Sequence, residues 1–157
     1  MAHYVWVGDG PILCVADPEA EDPAVAQSIL LVEDDEMVAD VVRINLEAEG
    51  YEVLHAPNGA AGLAVIAQTP PDLVILDVMM PEIDGWTVLT RLRDDPATRS
   101  LPVIMLSAKA MPADQVRGYN LGATAYLPKP FSATELVERV TQVLADVAEP
   151  AGPSVLS

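Results

Sequence analysis

The feature that most constrains the fold is a set of short, unbroken aliphatic runs spaced evenly between longer segments of helical periodicity. Residues 29–32 (ILLV), 73–76 (LVIL) and 102–106 (PVIML) contain no polar side chain. A strand with one wet face alternates apolar and polar residues, so a strand that is aliphatic throughout must be covered on both faces. Between the runs, residues 36–49 place Met37, Val38, Val41, Val42, Ile44 and Leu46 near helical spacing and stop at Gly50. Residues 51–55 form a second strand. Asn58 then caps a helix through Gln68 that presents Leu63, Val65 and Ile66, with Pro70 and Pro71 beyond it. Residues 85–93, 111–121 and 132–147 are three more helices, and 125–127 a short fifth strand. Strands and helices in strict alternation predict right-handed crossovers, a parallel sheet and an α/β three-layer (βα)5 sandwich.

In such sheets ligands bind at the carboxyl ends of the strands, near the point where strand order reverses. There the sequence changes character. ILLV runs into Glu33-Asp34-Asp35-Glu36, LVIL into Asp77, PVIML into Ser107 and the fifth strand into Lys129. Each alone has an ordinary explanation. Acids at a helix start favour its positive end by about 0.3–1 kcal/mol per charge, and an Asp after a strand commonly forms a turn. Parallel strands, however, bring all four ends to one sheet edge, and capping does not call for a hydroxyl and an amine on the two remaining strands.

Composition narrows the partner class. The 157 residues carry 24 Asp and Glu against 8 Lys and Arg, a formal net charge of −16. Five of those acids and none of the bases lie in residues 1–27, so residues 28–147 are strongly acidic in their own right. Binding a phosphate backbone needs a basic footprint, so no direct nucleic-acid partner is expected, and an anionic membrane would repel the chain as well. Cys14 is the single cysteine, which excludes an intrachain disulfide and fits a reducing compartment. The N-terminus has no basic region, and Asp9, Gly10 and Pro11 break any apolar one, so it is not a secretory signal. The longest run without Asp, Glu, Lys or Arg, residues 53–71, is broken by Pro57, Asn58, Gly59, Gly62, Pro70 and Pro71, so no membrane segment is expected. A cytoplasmic location follows. Residues 1–27 read as an acidic N-terminal extension, with β-prone runs at 4–7 and 12–16 and an acidic linker at 17–28; residues 148–157 read as a C-terminal tail.

The segments ILLVEDDE, PDLVILDVMMPEIDG, VIMLSA and AYLPKPF stand in an order and spacing that resemble the CheY-like response-regulator receiver domain of two-component signalling. The resemblance spans residues 28–147. It implies a flavodoxin-like sheet of order 2-1-3-4-5 and a phosphorylation switch rather than a turnover enzyme. It makes Asp77 the phospho-acceptor, charged by a phosphohistidine of a sensor histidine kinase or phosphotransfer protein. Glu33 and Asp34 become the acidic pair for Mg²⁺ (or Mn²⁺): Asp34 and Asp77 are direct ligands, Glu33 acts through water, and Met79 lends its backbone carbonyl. Ser107 hydrogen-bonds the phosphoryl group, Lys129 pairs with it, and Tyr126 is the aromatic that changes position on activation. Residues 111–147 form the output face toward a downstream protein target, with a homodimer through the same face left open. The Lys129–Pro130 bond is expected to be cis. Thr124 and Ala125 stand where many DNA-binding members carry acids that pair across a dimer, which weakens that mode of association. Met79 and Lys109 occupy variable positions that tune hydrolysis; neither readily activates water, which implies a phosphoryl lifetime of minutes or longer.

The residue types support this chemistry without the family. Three crowded carboxylates repel, so at least one should carry a raised pKa until a cation relieves it. Mg²⁺ takes hard oxygen ligands, and phosphoryl transfer asks mainly for positioning and charge neutralisation. Asp77 needs no separate base, because it is already an anion at neutral pH. The alternative is an aspartyl-nucleophile phosphatase, as in haloacid-dehalogenase-like enzymes. Those have a second Asp two residues after the nucleophile, where this chain has Met79. A flavin module fits worse, since acids follow the first strand where a phosphate loop would be. The expectation is therefore a receiver with no output domain within these residues, a piece of a longer regulator or hybrid kinase being equally compatible.

Overall fold

The computed structural model describes residues 26–108 and 111–148. Five strands, β1 (Ser28–Val32), β2 (Glu52–Ala56), β3 (Leu73–Asp77), β4 (Val103–Ser107) and β5 (Ala125–Pro128), alternate with α1 (Glu36–Ala48), α2 (Gly59–Gln68), α3 (Gly85–Asp94), α4 (Pro112–Asn120) and α5 (Ala133–Ala148). All strand pairs are parallel, and the sheet order is β2-β1-β3-β4-β5. The chain steps from β1 outward to β2, then crosses back past β1 to β3. Strand order reverses between β1 and β3, so the sheet's crevice opens at their carboxyl ends.

Successive side chains of a strand point to opposite layers, and both layers are apolar. Ile29, Leu31, Ile75 and Leu106 pack with Val42 and Leu46 of α1 and with Leu136 and Val140 of α5. Leu30, Val32, Leu76 and Met105 pack with Ile66 of α2 and with Trp86, Leu89 and Leu92 of α3. Each fully buried Leu or Ile contributes about 1.5–3 kcal/mol, so the aliphatic runs are the main stabilising element.

Helix starts are capped at the functional edge. Asp35 accepts from the Met37 and Val38 amides at 2.9 and 3.4 Å, Asn58 from Ala61 at 2.8 Å, and Asp84 from Thr87 at 2.9 Å. At α5, Ser132 and Glu135 form a reciprocal capping box at 2.9 and 3.0 Å. Gly50, at φ 96°, turns the chain out of α1.

The structure departs from the periodicity reading in two helices. In α1, Val42 and Leu46 are buried with Ala39, but Met37, Val41 and Ile44 are 79%, 50% and 62% exposed. Positions i, i+4 and i+7 make a second stripe beside the core-facing one, and only one stripe can meet the sheet. In α2, Ile66 is buried as expected, whereas Leu63 and Val65 are only partly covered. Gly62 is buried tight against β1, where an added Cβ would lie 2.8 Å from Val32 Cγ2. Asp77 and Ser107 are the last residues of their strands rather than the first beyond them. Residues 1–25 and 149–157, with Lys109 and Ala110, lie outside the described residues, and so do the β-prone N-terminal runs, most of the linker and almost all of the tail. Among the described residues no helix is long and apolar enough to cross a membrane.

Candidate functional site

At the end of β1 the ladder with β2 continues one residue further: the Glu33 amide donates to the Ala56 carbonyl at 3.1 Å. The chain then turns at Asp34 before Asp35 caps α1, which leaves Glu33 fully buried and Asp34 exposed. At the end of β3, Asp77 is 2% exposed. The loop beyond it folds back tightly. Gly85 donates to the Val78 carbonyl at 2.9 Å, and a Cβ at residue 85 would collide with the Asp77 carbonyl oxygen and the Val78 backbone. Only glycine fits there, and Glu82 in the same loop takes φ 69°.

These turns converge. One carboxylate oxygen from each of Glu33, Asp34 and Asp77 lies within 4.8 Å of the others. Lys129, carried just past the end of β5, places Nζ 3.1 Å from Glu33 Oε1 and 3.5 Å from Asp77 Oδ1. The second Glu33 oxygen accepts from the Asp35 amide at 3.1 Å, and the Met79 amide reaches Asp77 Oδ1 at 3.4 Å. The Lys129–Pro130 bond is cis, as expected.

The electrostatics follow from crowding. Burial, and then the charge of Glu33, push the Asp77 carboxyl from 3.8 to about 7, against the opposing pull of Lys129 and the Met79 amide. Burial alone would lower the Lys129 ammonium, but Asp77 and Glu33 together outweigh it and raise it. The rise at Lys129, and the part of the rise at Asp77 that comes from Glu33, say that the pocket holds more negative than positive charge. The expectation of a raised pKa among the three acids therefore holds. The companion expectation, that Asp77 is already an anion at neutral pH, meets opposition: burial and then the neighbouring Glu33 push its carboxyl to about 7, so it is an anion there only once a cation relieves the charge.

Ser107 sits at the end of β4, in register with Pro128, and its carbonyl accepts from the Lys129 amide at 2.7 Å. Its side chain is engaged with Tyr126, whose phenol is raised by burial and lowered by the hydrogen bond from Ser107. Tyr126 is buried, its ring lying where a Cβ on Gly118 of α4 would be 3.1 Å away.

Glu33, Asp34, Asp77 and Lys129 are thus brought together, while Ser107 occupies the neighbouring strand end and faces Tyr126. Met79 touches Asp77 through its amide, and its side chain is exposed. Asp35 is a cap, and Lys109 lies outside the described residues. Two residues were missed. His55 Nε2 lies 2.8 Å from the Glu33 carbonyl, and Arg139 donates to the Tyr126 carbonyl at 2.9 Å. His55 was the more findable, because it is the last residue but one of β2, close to the acidic turn and opposite Leu31 in the ladder. Beside the acids, Met37, Val38 and Val41 of α1 with Ala108, Pro130 and Phe131 line an apolar groove of about 420 Å³ that reaches Lys129.

Comparison with known proteins gives one consistent family. The model of the response regulator receiver domain matches residues 29–141. The chain is 45% identical over 116 residues to the DNA-binding dual master transcriptional regulator RpaA of Synechocystis sp., covering 74% of this chain and 48% of that protein. It is 40% identical over 120 residues to the phosphate regulon transcriptional regulatory protein PhoB of Pseudomonas aeruginosa, covering 76% and 52%. The chain spans about half the length of these curated relatives. Among solved structures it is similar to the signal receiver domain of a signal transduction histidine kinase from Syntrophus aciditrophicus, with 35% identity, a TM-score of 0.74, and coverage of 84% of this chain and 98% of that one. One expectation is overturned. Acidity excluded nucleic acid, yet a relative is itself a DNA-binding regulator in which the matched part is about half of the protein. The charge of one domain limits what that surface binds and says nothing about the remainder of a longer regulator.

Proposed function

The chain belongs to the response-regulator receiver domain family, and on that premise we propose that it is a phosphorylation switch whose acceptor is Asp77, with residues 28–147 as the receiver. The observation that carries this reading is the Lys129 ammonium 3.1 and 3.5 Å from two of three convergent carboxylates, at the point where strand order reverses. The donor is a phosphohistidine on a sensor histidine kinase or phosphotransfer protein. An Asp77 carboxylate oxygen attacks phosphorus, the P–N bond breaks, and its electron pair returns to the donor imidazole. Lys129 meets the negative charge on the phosphoryl oxygens, a purely electrostatic and positional contribution of the kind phosphoryl transfer requires.

Glu33, Asp34, Asp77 and the Met79 carbonyl would hold Mg²⁺ or Mn²⁺. The donor set fits such an ion: all hard oxygens, gathered where burial and then the charge of Glu33 push the Asp77 carboxyl to about 7. When bound, the cation neutralises the pocket and the incoming phosphoryl oxygens. Ser107 then exchanges its bond to Tyr126 for one to the phosphoryl group, and the freed Tyr126 repacks against α4. That transmits the change to residues 111–147, where Val116 and Tyr119 are exposed for a downstream protein in the cytoplasm.

For a phosphohistidine to reach Asp77, the body of the donor must cover the surrounding surface. The apolar groove beside Lys129 and the exposed Met37 and Val41 suit that contact. The test is incubation of the full chain with a small acyl phosphate and Mg²⁺, read by intact mass. One added phosphoryl group that disappears in Asp77→Asn is expected. Repeated turnover of a phosphate ester with no adduct would instead establish the aspartyl phosphatase and overturn the switch.

A further inference from the structure

Glu33 is anchored at four points. Its amide donates to Ala56, its two carboxylate oxygens accept from Lys129 and from the Asp35 amide, and its carbonyl lies 2.8 Å from His55 Nε2. A carbonyl only accepts, so Nε2 is the nitrogen that carries the proton. The first three contacts hold the Glu33 residue. Among the described residues, the fourth alone holds the peptide plane that leads into Asp34.

Asp34 depends on that plane. It is exposed, and among the described residues no hydrogen bond or ion pair reaches its side chain, although one of its oxygens lies within 4.8 Å of those of Glu33 and Asp77. Rotation about the Glu33 Cα–C bond, which turns that carbonyl, would swing the Asp34 Cα, and with it the carboxylate, away from Asp77. His55 is not needed to pair the strands. The β1–β2 ladder runs over five register pairs, and Val53 and Ala56 bury β2 on its two faces.

We propose that His55 is a positioning residue for the cation pocket: by holding the Glu33 carbonyl it fixes the peptide that aims Asp34 at Asp77, and so sets the affinity for the divalent ion. This rests on the metal reading above. The physical basis is preorganisation, because a ligand already in place loses no freedom on binding, and groups that orient ligands from behind commonly change metal affinity by about 10–100-fold.

The test is calorimetric titration of the full chain with Mg²⁺ at a pH where imidazole is neutral, together with thermal unfolding of the metal-free protein. His55→Gln places an amide N–H close to where Nε2 lies, whereas His55→Asn is a carbon too short and His55→Leu has no donor. Mg²⁺ binding about tenfold weaker in the Leu and Asn variants is expected, at the low end of that range because the contact is one peptide removed. The Gln variant should stay near wild type, and the thermal midpoints should move little. Unchanged affinity in the Leu and Asn variants overturns the inference. So does a loss of affinity that tracks a fall in thermal stability and is not rescued by Gln, which would make His55 merely structural. A wild-type chain that takes up no Mg²⁺ removes the metal reading itself, an outcome distinct from both.

Discussion

Replacing Asp77 with Asn should make the metal-free chain more stable at neutral pH and flatten its dependence on pH. The Asp77 carboxyl rises from 3.8 to about 7 on folding, chiefly through burial. A carboxyl with a raised folded pKa holds its proton more tightly folded than unfolded. Below pH 3.8 it is neutral in both states and contributes nothing. As pH climbs from 3.8 to about 7 the unfolded chain ionises freely, while the folded one keeps the proton or buries a charge, so stability falls through that window and stays low above it. At about 1.4 kcal/mol per pKa unit, the whole rise corresponds to about 4 kcal/mol. Lys129 already opposes that rise, so the pairing that Asn removes is contained in the figure, and the net gain at pH 8 is about 4 kcal/mol. Urea unfolding in EDTA at pH 5, 6, 7 and 8 measures it. The advantage of Asp77→Asn over wild type should widen by about 2–3 kcal/mol between pH 5 and pH 8, and added Mg²⁺ should close the gap by stabilising the wild type more strongly. Parallel pH curves for the two proteins, or a variant less stable than wild type at pH 8, would refute the reasoning.

Lys129→Ala leaves the buried Glu33 and Asp77 without their cation, so unfolding in EDTA should show a loss of about 3 kcal/mol at neutral pH that shrinks toward pH 5. An equal loss at both pH values would count against an electrostatic cause. Gly85→Ala forces a Cβ into the Asp77 carbonyl and the Val78 backbone; a stability loss of about 1–3 kcal/mol in urea unfolding and slower adduct formation by intact mass are expected, and an unshifted midpoint would contradict the close approach. With Met79 exposed two residues beyond Asp77 and supplying no group that activates water, the phosphorylated chain freed of donor should keep its label for minutes or longer. Loss within seconds by intact mass would sink that expectation.

How legible the molecule was in its sequence differs by residue. The runs ILLV, LVIL and VIML announce doubly covered strands because burial on both faces leaves no place for a polar side chain, and Gly50, Asn58 and Asp35 mark helix ends because capping is a local hydrogen-bonding requirement. The same periodicity misjudged Met37, Val41 and Ile44, since a helix wider in apolar residues than its contact with the sheet leaves the choice of face to packing. It also missed Gly62 as a point of tight contact between α2 and β1, because the absence of a side chain leaves no mark in a hydrophobic pattern.

The site divides in the same way. The residue types at the strand ends, Glu33-Asp34, Asp77, Ser107 and Lys129, were set by the sequence alone, together with the alternation that places those ends on one edge. What only the tertiary structure decided is how they meet: that Lys129 contacts Glu33 more closely than Asp77, that Ser107 is engaged with a buried Tyr126, and that His55 grips the carbonyl behind Asp34. The pKa of Asp77 belongs to that second class as well, because burial and a neighbouring charge arise only when residues 44 and 52 positions away in the chain fold against it. Local chemistry is written in neighbours along the chain. Distances, charge states and which partner holds which ligand depend on strand register, and register is a property of the packed sheet.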